Sequence, residues 1–151
     1  IKRLEERGIL IDLAHACPRT FFDACEIAAR PFVSHANAWE IMPHPRNLRA
    51  GQIKLLIERG GFLGLTFYPP FAGPGLPEFM RHMDFILELG GENILGIGSD
   101  FDGTAPLAGL ENASHAQDLA KALINRGCAE STVKRLFFEN AYNFFSKLLE
   151  N

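Results

Sequence analysis

His15 follows one short apolar run, Ile9-Leu10-Ile11-Asp12-Leu13, and His35 follows another, Phe32-Val33, after Ser34. Asp100 stands in the same place after a later run, in Gly98-Ser99-Asp100-Phe101-Asp102-Gly103. If these runs are parallel strands, all three side chains fall at the carboxyl edge of one sheet, where the active sites of such sheets form. Two neutral imidazoles with a carboxylate suit a borderline metal such as zinc, and a further acid beside the activated water can shuttle protons during hydrolysis. Spacing alone leaves each histidine equally readable as a hydrogen-bonded loop residue, and Asp100 and Asp102 as turn or helix N-cap residues, a reading of equal weight for Asp102, just before Gly103. Arg46, in Pro43-His44-Pro45-Arg46-Asn47, is either a two-pronged holder of an anionic group or a plain exposed loop cation. Tyr68, at the end of the third run, offers a hydroxyl to a ligand or packs on the loop prolines. His44, His82 and His115 have weaker claims; His82 lies beside the inward stripe of a helix and reads as a structural residue. Cys17 reads as an inert small hydrophobe.

Four apolar runs, Gly8 to Ala14, Phe32-Val33, Phe62 to Phe67 and Ile94 to Ser99, alternate with helical stretches, which predicts parallel strands joined by helical crossovers. Lys2 to Arg7 reads as the end of an incoming helix closed by Gly8, so the chain is expected to begin in mid-fold, and Ile1 is not an initiator methionine. Thr20 to Arg30 places Phe21, Cys25 and Ala28 on one helical face before Pro31. After the long loop from Ala36 to Leu48, a helix carries Ile53, Leu56 and Ile57 and stops at Gly60. The Pro/Gly-rich stretch from Pro69 to Pro77 is expected to break all regular structure. A helix with Phe79, Met83, Ile86 and Leu87 follows, then one over Ala116 to Arg126. Ser131 to Leu149 reads as one bent helix or two short ones with Ser131 as N-cap. Four strand-helix units are half of a (β/α)8 barrel, which needs about 250 residues. The expectation is therefore an α/β fold, one partial barrel domain over residues 1–151 with open strand edges.

Fifteen Lys and Arg against eighteen Asp and Glu give a net charge of -3, too weak a field of either sign for a nucleic-acid clamp or a polybasic membrane face. Apolar runs are too short for a membrane span, and the end at Leu148-Leu149-Glu150-Asn151 carries no long apolar tail. Three cysteines without CxxC spacing provide no disulfide framework, and a reducing, cytoplasmic compartment is expected.

Taken together, Ile11-Asp12-Leu13-Ala14-His15, Ser34-His35-Ala36-Asn37, Arg46-Asn47, Gly60-Gly61, Thr66-Phe67-Tyr68, Gly98-Ser99-Asp100-Phe101-Asp102-Gly103, Gly109-Leu110-Glu111-Asn112 and Glu139-Asn140-Ala141 resemble, in order, the membrane dipeptidase family, peptidase family M19, among the amidohydrolase-type metal-dependent barrels. The resemblance implies the C-terminal half of a TIM-type barrel, four parallel strands plus C-terminal helices, and hydrolysis of dipeptides by a metal-bound hydroxide at a two-zinc centre. It implies His15 and His35 as metal ligands, Asp100 as the proton acceptor and donor, and Arg46 with Tyr68 as the holders of the substrate's free carboxylate. The family's remaining ligands, a His-x-Asp and a bridging Glu, have no counterpart here, so the chain alone is expected to bind Zn2+ weakly and to show little activity. A complementing N-terminal half or a second copy is the expected partner. The competing readings are a non-catalytic half-barrel assembly module and a related amidohydrolase-type metal hydrolase.

Overall fold

The structure, a computed structural model, describes residues 1–149. A short helix α1 (Lys2–Glu5) leads into the first apolar run, and that run does not become a strand. It contributes one parallel bridge, Asp12 to Phe32, with the Leu13 N–H donating to the Phe32 carbonyl at 2.8 Å. The ladder goes no further because the Asp12 carboxylate itself accepts the Ala14 and Ser34 N–H groups, and Ile9, ahead of the bridge, is left 48% exposed. The expected four strands are accordingly three among the described residues, with a bridge at the edge.

Helix α2 (Pro18–Ile27) starts two residues earlier than its apolar stripe suggests, since Pro18 at its first turn has a preset helical φ and no N–H to satisfy. Strand β1 (Phe32–Val33), helix α3 (Ala50–Glu58) and strand β2 (Phe62–Leu65) follow. Pro69 and Pro70, expected to break structure, open one helical turn, α4 (Pro69–Ala72), where a leading proline is well tolerated. Helix α5 (Leu76–Glu88), strand β3 (Leu95–Ile97) and helix α6 (Ala116–Asn125) complete the crossovers. The last helix begins at α7 (Glu130–Lys134) with Ala129, not Ser131, at the N-cap position. It continues through a π turn at Arg135–Glu139 into α8 (Asn140–Leu149), so it is one interrupted helix; Glu150 and Asn151 of the chain end lie outside the described residues. No helix among the described residues is long and apolar enough to cross a membrane.

The sheet is parallel, in the order β1-β2-β3, with Phe32 paired to Phe62 and Leu63 to Leu95. Alternation along the strands separates two faces. Val33, Leu63, Leu65 and Leu95 join Ile53 and Leu56 of α3, Phe79, Met83 and Ile86 of α5, and Leu119 and Leu123 of α6 in one buried cluster. The opposite face carries Phe32 and Phe62, then only glycines. Phe144 and Phe145 of α8 close its amino end, with Phe144 stacked on Phe32 at 5.8 Å. Asn140 fixes that helix by donating from Nδ2 to the Glu92 and Leu95 carbonyls, at 2.8 and 2.7 Å. Further along the face, a Cβ on Gly64 or Gly98 would fall 2.1 or 1.9 Å from the Ser34 carbonyl oxygen. The glycines are there because the chain leaving β1 lies directly on the sheet.

His82 on α5 is fully buried, and its Nδ1 accepts the Ala38 N–H at 3.0 Å. Its Nε2 forms no well-aligned hydrogen bond, although the nearby Ala72 backbone favours the protonated ring and partly offsets burial. Burial dominates and, with a smaller push from Arg81, lowers its pKa from 6.5 to about 4. Above about pH 7 the ring is neutral in both folded and unfolded chains; between 6.5 and about 4 only the unfolded chain takes up the proton. Stability should therefore fall by roughly 3 kcal/mol across that window as the pH drops. His82→Asn keeps an acceptor near Nδ1 but does not titrate, so urea unfolding of the two proteins should converge as the pH falls. Parallel pH profiles would refute the assignment.

Candidate active site

One carboxylate oxygen assembles the edge of the sheet. Asp12 Oδ1 accepts the Ala14 N–H at 2.9 Å and the Ser34 N–H at 3.0 Å, tying the end of the first run to the end of β1. Immediately beyond these ties come His15 and His35. His15, Asp100 and Asp102 are the non-glycine residues with positive φ among those described, at 70°, 61° and 65°. A left-handed backbone costs such residues about 1 kcal/mol or more and collects where the surroundings impose it for function.

The two imidazoles meet: His15 Nε2 lies 2.7 Å from His35 Nε2, with ring centroids 4.8 Å apart and planes at 65°. Ser34 Oγ lies 2.7 Å from His35 Nδ1, which fixes the orientation of that ring and, when Nδ1 donates, leaves Nε2 as a free lone pair. Asp100 Oδ2 is 3.9 Å from His35 Nε2. The sheet edge thus brings His15, His35 and Asp100 to one point. Burial lowers the pKa of His15, Arg46 and His35 lower it further, and Asp100 and Asp12 oppose them. The result favours the neutral ring, the form that ligates metals.

Two nitrogens bound to one tetrahedral zinc at about 2.0–2.1 Å stand about 3.3 Å apart, so a small opening of the rings from 2.7 Å would admit the ion. The donors fit in type and convergence. They do not suffice in number: no group of three or more His, Cys, Asp or Glu among the described residues is arranged to hold a metal, and catalytic zinc takes three protein ligands.

A cavity of about 270 Å³ opens beside His15, walled by Trp39, Arg46, Asn47, Arg49 and Gln52 among others. Arg46 is therefore on the same cavity as His15. Tyr68 is not one of its walls; the ring packs edge-on against Phe71 at 4.8 Å. His44 accepts the Arg46 N–H at Nδ1, 3.2 Å away, and His115 lies 3.5 Å from Glu111, so both have local partners.

Sequence reasoning assigned no role to Asp12, Ser34, Asn37 or Asn47. Asn37, fully buried, donates to the Thr66 carbonyl and accepts its N–H, replacing a strand neighbour beyond β2. Asn47 accepts the Asn37 N–H and donates to the Met42 and Phe71 carbonyls, which anchors the loop that carries Arg46. The available signal was an acid inside an apolar run at Asp12, and an asparagine just after each of His35-Ala36 and Arg46.

Comparison with known proteins agrees with this geometry. The model of the membrane dipeptidase family (peptidase family M19) matches residues 1–150. The crystal structure of dipeptidase AC, a metallo peptidase of family M19, superposes with a TM-score of 0.91 at 26% identity, over 97% of this chain and 46% of that one. A metallo peptidase from Rhodobacter sphaeroides, liganded with a phosphinate mimic of the dipeptide L-Ala-D-Ala, gives 0.91 and 26%, over 97% and 44%. An amidohydrolase from Pseudomonas aeruginosa shares the fold, with a TM-score of 0.88 at 21% identity, over 99% and 55%. The chain spans about half the length of these proteins.

Proposed function

This chain belongs to the membrane dipeptidase family, peptidase family M19, and from that premise we propose that it contributes half of the active site of a zinc-dependent dipeptidase. The observation that carries the reading is the meeting of His15, His35 and Asp100 at one sheet edge. The corresponding fold is the C-terminal half of a TIM-type barrel, with the bridge at Asp12 standing where a further strand would run.

His15 and His35 would hold zinc through their Nε2 atoms. Zinc, when bound, supplies Lewis-acid activation of water and of the peptide carbonyl. Asp100 Oδ2 takes the proton of the attacking water and returns it to the leaving amine. Arg46 pairs with the substrate's free carboxylate, and its place on the His15 cavity limits the distance from that carboxylate to the scissile bond. Such a ruler suits a dipeptide. With two protein ligands, the isolated chain should hold zinc weakly and cleave little.

The test is zinc content and cleavage of a simple dipeptide by the purified chain, alone and mixed with a polypeptide covering the other half of an M19 structure. Cleavage is expected only in the mixture. There, Arg46→Ala should lower kcat/KM for the dipeptide by about 10- to 100-fold, the worth of a charged hydrogen bond, and barely change turnover of an analogue lacking the free carboxylate. Full activity of the chain alone would refute the shared site, and equal losses on both substrates would refute the role of Arg46.

A further inference from the structure

Two arginines, Arg46 and Arg49, line the cavity beside His15, and neither guanidinium has an ion-pair partner among the described residues. Their bases are held firmly. The intervening Leu48 donates its N–H to the Asn37 carbonyl and accepts the Trp39 N–H, at 2.8 and 2.9 Å. Arg49 lies over the Trp39 ring, 4.0 Å from its centroid. Contact with the ring removes part of the rotamer freedom that binding would otherwise cost, and a guanidinium with five N–H groups keeps donors for a carboxylate. The acid on the same loop, Glu40, is engaged elsewhere, accepting the Ala50 N–H at 2.9 Å in the first turn of α3. Gln52, buried on the cavity wall, spends its Oε1 on the Arg49 N–H at 3.0 Å, which leaves its amide N–H groups as further donors.

A ligand with one carboxylate engages Arg46 and leaves Arg49, exposed at the cavity mouth, to water. A ligand with two carboxylates satisfies both. We infer that this cavity selects dipeptides whose carboxyl-side residue is acidic, Asp or Glu, with Arg49 as the residue that reads the side-chain carboxylate. The inference rests on the dipeptidase reading and deepens it. A basic side chain in the same place meets like charge and is rejected.

Trp39 is the chain's single tryptophan, so its fluorescence reports on this cavity alone. Titration of the purified chain, repeated by calorimetry, with Ala-Asp, Ala-Ala and Ala-Lys should give a Kd for Ala-Asp about tenfold or more below that for Ala-Ala, with Ala-Lys the weakest. Arg49→Gln should bring the Ala-Asp to Ala-Ala ratio within about twofold, while Arg49→Lys retains part of it, because charge persists without the planar fork. Arg46→Gln should weaken both ligands. Equal affinities for Ala-Asp and Ala-Ala, or a preference that survives Arg49→Gln, would overturn the inference and leave the dipeptidase reading standing. Failure of every dipeptide to bind by both methods would overturn the inference, whereas absence of cleavage in the mixture of the two halves would overturn the dipeptidase reading beneath it.

Discussion

Gly98→Ala is expected to destabilise the protein by about 3 kcal/mol or more, the upper range for overpacking, and to abolish metal binding at the histidine pair. The added Cβ would sit 1.9 Å from the Ser34 carbonyl oxygen and 3.0 Å from Gly64 main-chain atoms. All of these are backbone, so no side chain can rotate away. Either the end of β1 lifts off the sheet or β3 moves, and both displace His35 from His15. Gly51→Ala is the control: it adds the same atom inside α3, where nothing lies within 4 Å, and should stabilise by about 0.5–1 kcal/mol. Urea unfolding of the three proteins decides the matter. A Gly98→Ala protein within about 0.5 kcal/mol of the unsubstituted chain would show that the strand ends are not packed as described.

Zinc affinity should depend on the two imidazoles as one unit. His15→Ala and His35→Ala are each expected to weaken Zn2+ binding by about 100-fold or more, and the double variant should be scarcely worse than either, because one remaining nitrogen cannot hold the ion. Ser34→Ala should weaken it by about tenfold, since the Oγ that orients His35 at Nδ1 is lost. Competition with a chromophoric chelator at fixed pH measures all four, the pH being held because the ligands bind as neutral rings. A single histidine variant within about threefold of the unsubstituted chain would remove that residue from the ligand set.

The sheet was legible where residue type and environment agree. Phe62 to Leu65 is continuously apolar and buried on both sides, as a central parallel strand requires. The stretch around Asp12 misleads because a side-chain acceptor there takes N–H groups that strand pairing would otherwise use. The convergence of His15, His35 and Asp100 follows from the rule that strand ends share an edge, but their separations do not, since these depend on three left-handed turns and one bifurcated carboxylate. Gly64 and Gly98 stand inside runs that read as strands, and only the crossing Ser34 backbone shows why nothing larger is allowed there. Arg49 carries no signal of its own in sequence. Its significance comes from Trp39, ten positions away, and from the cavity they share.

Because main-chain atoms form the ground beneath the histidine pair, that surface offers a mutational library nothing to trim or enlarge, and substitutions there can only do harm. The loop from Ala36 to Arg49 is the opposite case: its backbone is pinned by Asn37 and Asn47, while the side chains of Trp39, Arg46 and Arg49 face the cavity. Laboratory evolution of altered selectivity should therefore accumulate its accepted changes in this one segment, leaving chemistry and ligand choice to be tuned separately.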